Sequence, residues 1–68
     1  MLMQYENAKG DMVFIRPIER VTMERGPDRV IRSVTGYLRD VAYTVPLEQS
    51  SVIVYGEGQV IVDLSKRG

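Results

Sequence analysis

The stretch Ser51-Val-Ile-Val-Tyr-Gly-Glu-Gly-Gln-Val-Ile-Val-Asp63 constrains the fold more than any other part of the chain. Two runs of β-branched and aromatic residues flank Gly56-Glu57-Gly58, which reads as the closing loop of a β-hairpin. With three residues in that loop, Val54 is expected opposite Val60, Ile53 opposite Ile61 and Val52 opposite Val62. The valines then share one face, and Ile53, Ile61 and Tyr55 share the other. A hairpin with one wet face alternates apolar with polar residues. This one is apolar on both faces near its centre, so each face needs a cover. A chain of 68 residues is one domain with little left over for a second cover. Another copy of the chain is the expected source.

The absent residue types point the same way. A domain this short buries a modest fraction of its surface and usually gains stability from disulfides, a metal or oligomerisation. There is no cysteine and no histidine. Disulfides and the usual nitrogen–sulfur zinc sites are therefore excluded, and oligomerisation remains. The same absences remove a histidine general base and a thiolate nucleophile. Asp11, Glu19, Glu24, Asp28, Asp40, Glu48, Glu57 and Asp63 are scattered, each beside a basic residue or a turn, as solvated surface acids are. The expectation is a protein that is not an enzyme and needs no cofactor or metal.

Formal charge is zero, with nine basic and nine acidic residues, which argues against a strongly electropositive nucleic-acid binder. The charge is nonetheless uneven. Arg16, Arg20, Arg25, Arg29, Arg32 and Arg39 fall in one window whose only acids are Glu19, Glu24 and Asp28, a net charge of +3. Guanidinium groups grip phosphates and base edges bidentately. They also pair with acids across strands, so the window reads either as an RNA-binding stripe or as surface pairing. No apolar run approaches membrane-spanning length. Met1-Leu-Met-Gln-Tyr-Glu-Asn7 is too short and polar for a signal peptide, and a soluble cytoplasmic protein is expected.

Turn signals recur at 7–11, at Gly26-Pro27-Asp28, at Gly36, at 46–51 and at 56–58. Punctuation of this kind between short Val-, Ile-, Thr- and Tyr-rich segments predicts an all-β antiparallel sandwich or small barrel. Strands are expected at 2–5, 12–15, 19–25 and 29–35, the second ended by Arg16-Pro17. With a three-residue turn at 26–28, Met23 faces Ile31. Residues 37–45 suit a strand with Tyr37, Arg39, Val41, Tyr43 and Val45 on one face. Leu38, Val41, Ala42 and Val45 would equally line a helix, but Pro46 and local propensity favour the strand. The whole of 1–68 is one domain, with 65–68 read as a loose tail.

Gly56-Glu57-Gly58 lacks the length, the lysine and the following helix of a phosphate loop. Tyr37, Tyr43 and Tyr55 are of the type that stacks on bases between arginines, and equally of the type that packs half-buried in sheets. The RNA-binding candidates are Arg29, Arg32, Arg39 and Tyr55. Thr44, Gln49, Ser50 and Ser51 form a polar cluster that is either plain loop or a set of partners for a small ligand between subunits.

Four segments resemble the trp RNA-binding attenuation protein family. Met12-Val-Phe-Ile-Arg16 is similar to its first long strand, an apolar run closed by a basic residue. Arg25-Gly26 with Asp28 is similar to its Arg-Gly turn. Glu48-Gln-Ser-Ser51 before Val52 to Val54 is similar to the entry of a late strand, and Gly56-Glu57 to the pair that follows it. The resemblance spans 12 to 63 with gaps. It implies subunits joined edge to edge in a ring, tryptophan between neighbours and single-stranded RNA around the outside. It would place Arg25, Gly26 and Asp28 in the loop over the ligand, with Ser51 near it. The chain departs from the family at Glu24, where a threonine is usual, and at Val54 and Tyr55, where RNA-contacting basic residues are usual. The expected function is a non-enzymatic regulatory binding protein, a homo-oligomer recognising single-stranded RNA and a small ligand between subunits, in the manner of transcription regulation. The alternative is a structural or protein-interaction module without nucleic-acid binding.

Overall fold

The computed structural model describes residues 1–67. Seven strands follow one another: β1 Leu2–Glu6, β2 Met12–Ile15, β3 Arg20–Arg25, β4 Ile31–Leu38, β5 Val41–Pro46, β6 Val52–Gly56 and β7 Gln59–Leu64. They form two antiparallel sheets, a four-stranded one in the order β2-β1-β6-β7 and a three-stranded one in the order β3-β4-β5. The chain is therefore all-β, with two sheets rather than one closed barrel.

Period-2 alternation decides what lies between the sheets. Ile15, Met3, Val54 and Val62 form one cross-strand row of the four-stranded sheet. Val34 and Val45 are neighbours in the other sheet. Met3, Ile15, Val34, Val45, Val52 and Val54 join Ile18 and Leu47, from the connecting segments, in one buried cluster. Gly36 lies in this interior and is not the turn that its glycine suggested. A Cβ there would stand 2.6 Å from the Met3 sulfur and 3.2 Å from Ile18 Cδ1. The glycine sits mid-strand because the neighbouring sheet comes close.

Three expected registers are corrected. The last hairpin closes on two residues, Glu57 and Gly58, with φ of 52° and 78°, and Gly56 pairs Gln59. Both positive values match the two-residue turn that hairpins favour. Val54 then pairs Val62 and Tyr55 pairs Val60, leaving Ile61 as an unpaired bulge. Val60 and Ile61 are accordingly turned out, at 53% and 52% exposure. In the β3–β4 hairpin, Met23 pairs Val34 rather than Ile31, because Arg25 pairs Ile31, Glu24 pairs Ser33 and Arg32 is skipped. Residues 37–45 are strand, but broken by a two-residue turn at Arg39-Asp40, so that Leu38 pairs Val41. Arg39 takes φ 56° in that turn and shares no strand face with Val41. Tyr37 faces outward beside Arg20, while Val45 is buried.

The two outer faces differ. That of the three-stranded sheet is polar, with Thr22, Thr35 and Thr44 in one row and Glu24 beside Ser33 in the next. Glu24 Oε1 accepts from Ser33 Oγ at 2.9 Å and Thr35 Oγ1 at 2.7 Å, and Oε2 accepts from Thr22 Oγ1 at 2.8 Å. Thr35 has thereby used its proton, so Thr44 is the donor in the 2.9 Å contact between the two hydroxyls. Burial pushes the Glu24 carboxyl up, but the hydroxyls, that of Thr35 foremost, outweigh it and hold the group below its ordinary value. A lowered folded value means a contribution that is complete above the ordinary glutamate range. It is lost as the pH falls through the folded value. Glu24→Gln should cost about 1 kcal/mol or less, since the group stays open to water, and should flatten the acid limb of a pH–stability curve. An unchanged acid limb in the variant would show that the network contributes nothing.

The outer face of the four-stranded sheet is apolar at one end. Leu2, Tyr55 and Val60 form one row and Phe14, Gln4, Ile53 and Asp63 the next. Phe14 is 58% exposed and Met12 54%. Among the described residues, nothing covers the far side of the hairpin at this end.

Candidate nucleic-acid interface

The β3–β4 loop is where the charge of the chain gathers. Arg29 N donates to Gly26 O at 2.9 Å and Gly26 N to Val30 O at 2.9 Å, closing a loop of Pro27, Asp28 and Arg29. Pro27 supplies the fixed φ that opens such a turn, and Arg29 ends it at φ 66°. Asp28 organises the interior of the loop. Its Oδ1 accepts from Val30 N at 3.1 Å and its Oδ2 from Arg32 Nη2 at 2.9 Å. The Val30 amide chiefly holds its carboxyl below the usual value; desolvation opposes it, and the Arg32 guanidinium, the Asp28 amide and Arg67 add smaller lowering effects. Arg32 is the residue skipped by the β3–β4 register, which frees its side chain to swing back to Asp28 instead of pairing across the sheet with Thr22 or Glu24. Gly26 makes room for that swing. A Cβ at this position would meet Arg32 Nε at 2.7 Å.

Two further arginines complete the group. Arg25 Nη1 donates to Arg29 O at 2.9 Å, across the mouth of the loop. Arg67 Nη1 reaches Ile31 O at 3.5 Å, and Arg67 N donates to Leu47 O at 2.7 Å. The segment expected as a loose tail is thus tied down at Arg67, and at Lys66, whose N donates to Ser51 Oγ at 2.7 Å; Gly68 lies outside the described residues. Arg32 and Arg67 act on the Asp28 carboxylate, and Arg25 and Arg29 belong to the base and tip of the same loop. They converge on one exposed end of the molecule, with guanidinium donors left over for an anion.

Of the residues singled out from sequence, Arg25, Gly26, Asp28, Arg29 and Arg32 lie in this loop or at its base. Ser51 is joined to it through Lys66-Arg67. Arg39 is not: it sits at the opposite end of β4, roughly 20 Å away along the strand. Tyr55 lies on the other sheet, half-buried between Leu2 and Val60. Sequence reasoning passed over Arg67 and Lys66, because only the fold carries the chain's end back to the loop.

Beside Lys66, a notch of ≈ 110 Å³ opens at the polar end of the four-stranded sheet's outer face. Ile53, Met12 and Tyr5 line it together with Gln4, Glu6, Gln49 and Ser51. Ser50, almost fully buried, fixes the corner: its Oγ accepts from Glu6 N at 2.8 Å and donates to Ser51 O at 2.6 Å. Three members of the polar cluster seen in the sequence, Gln49, Ser50 and Ser51, therefore meet at one cavity, whereas Thr44 lies on the other sheet.

Among the described residues, no three His, Cys, Asp or Glu side chains come together to hold a metal ion, and no helix is long and apolar enough to cross a membrane. Compared with known proteins, the chain matches no family model, no curated protein and no solved structure.

Proposed function

We propose that the chain is a non-enzymatic regulatory binding subunit of the cytoplasm that assembles with copies of itself and grips single-stranded RNA through the β3–β4 loop. The observation that carries this reading is the gathering of Arg25, Arg29, Arg32 and Arg67 at one loop in a chain of zero net charge. An exposed cluster of this kind suits successive phosphates, which release counterions when bound. The apolar end of the other sheet supports assembly, and so does the total surface. The chain exposes 4813 Å², against roughly 4300 Å² expected of a folded monomer of this mass. A small ligand held between subunits belongs to the same reading, with Arg25, Gly26, Asp28 and Ser51 as its partners.

Titrating a random single-stranded RNA pool against salt tests the RNA contact. Binding should weaken steeply with salt, and each lost phosphate contact should lower the slope by about 0.7. Arg29→Ala, which removes a guanidinium that pairs with no acid among the described residues, should flatten the slope. Arg32→Ala, which breaks the pair with Asp28, should lower stability slightly and change the salt slope less than Arg29→Ala does. Absence of any affinity at low salt would discard the RNA reading. The alternative, a structural or protein-interaction module, would then stand; the Arg32–Asp28 pair and Arg20 stacked 4.2 Å over the Tyr37 ring are the observations on its side.

A further inference from the structure

The notch and the arginine loop are neighbours in the chain as well as in space. Lys66 lines the notch, and the next residue, Arg67, reaches the base of the loop. A strand of phosphates lying along the loop would therefore pass the mouth of the notch.

The size and lining of the notch say what it can hold. An enclosed apolar cavity of about 150 Å³ takes one benzene ring. At ≈ 110 Å³ and open to solvent on one side, this notch suits one flat ring partly projecting, and is too small for a drug-sized ligand. In its lining, Ile53 and Met12 offer apolar surfaces for a ring face. The same lining carries amides at Gln4 and Gln49, the Ser51 hydroxyl and the Glu6 carboxylate, which offer both donors and acceptors to a ring edge. Lys66, also in the lining, adds a cation and precedes Arg67 in the chain. An apolar face, a hydrogen-bonding edge and an attached anion describe a nucleotide.

We infer that the notch takes one unstacked nucleobase, held by Met12, Ile53, Gln4 and Gln49, while the attached phosphate lies toward Lys66 and Arg67. The inference rests on the RNA-binding reading where the base belongs to a strand; a free nucleotide offers the same chemistry, and the two sources are separated by the test. Gln49 is exposed, so Gln49→Trp fills the notch without disturbing the core.

The test uses the full chain and two probes. One is a short single-stranded RNA carrying a single 2-aminopurine, whose fluorescence rises as the base leaves the stack. The other is each of the four nucleoside monophosphates, followed through the methyl resonances of Met12 and Ile53. The expected result is a fluorescence rise on RNA binding that Gln49→Trp abolishes, with affinity falling roughly five- to tenfold and the salt slope unchanged. RNA binding with a normal salt slope but no fluorescence rise, or no effect of Gln49→Trp, would overturn the inference and leave the RNA reading intact. Methyl shifts with monophosphates but no RNA binding would support a nucleotide in the notch and discard the strand as its source. Neither RNA binding nor methyl shifts at millimolar nucleotide would overturn both.

Discussion

Val54→Glu is expected to abolish folding, and its neighbour Ile53→Glu to leave the subunit folded. Val54 is wholly buried, in a row with Met3 and Val62. A carboxylate there would have no cation and no hydroxyl to pair with. An uncompensated buried charge costs on the order of 3–5 kcal/mol, as much as the whole stability of many small domains. Ile53 is one residue away and points to the opposite face, where it is only half-buried and lines the open notch. The contrast is measured by urea unfolding of both variants. Equal, severe loss in both would mean that the outer face is as buried as the core even in a single subunit. A tolerated Val54→Glu would mean that β6 does not face the interior in the register described.

The second large effect concerns assembly. If the subunits assemble as proposed, Phe14→Glu should convert them to monomers at micromolar concentration while leaving the far-UV circular dichroism unchanged. Phe14 belongs to β2 at the edge of the four-stranded sheet, and more than half of its surface is exposed. Leu2, Tyr55 and Val60 continue the same apolar surface across the sheet. A charge at the centre of a buried apolar contact costs several kcal/mol per copy, which amounts to a factor of a hundred or more in the association constant. Light scattering against protein concentration reads the change. A parent chain that is itself monomeric at micromolar concentration would remove the assembly proposal and leave the exposed apolar face without a use.

The chain's own local chemistry accounts for the elements. Leu2–Glu6 and Met12–Ile15 follow from short β-prone runs between turn residues, and Pro27 and the glycines at 56 and 58 mark two hairpins. Even the apolar outer face of β6, with Ile53 and Tyr55, is readable in the double apolar pattern of 51–63, since a period of two assigns every residue to a face once a strand is granted.

Register is what local chemistry leaves open. A bulge changes the parity of everything beyond it, and the skipped Arg32 and Ile61 do this in both long hairpins. Their positions depend on which alignment buries Val34, Val45, Val52 and Val54 together, a property of two packed sheets and of no single segment. Gly36 shows the same dependence: a glycine reads as a turn until the Met3 sulfur is found against it. The candidate site divides along that line. Arg25 to Arg32 lie within one hairpin and were visible as an arginine-rich window. Arg67 and the notch of Gln4, Met12, Ile53 and Lys66 combine residues separated by most of the chain, and only the pairing of β1 with β6, together with the return of the chain's end over Leu47 and Ser51, brings them together. The physical reason is that side-chain type and spacing set local conformation. Which distant segments meet is set by the burial of a common core, to which every strand contributes at once.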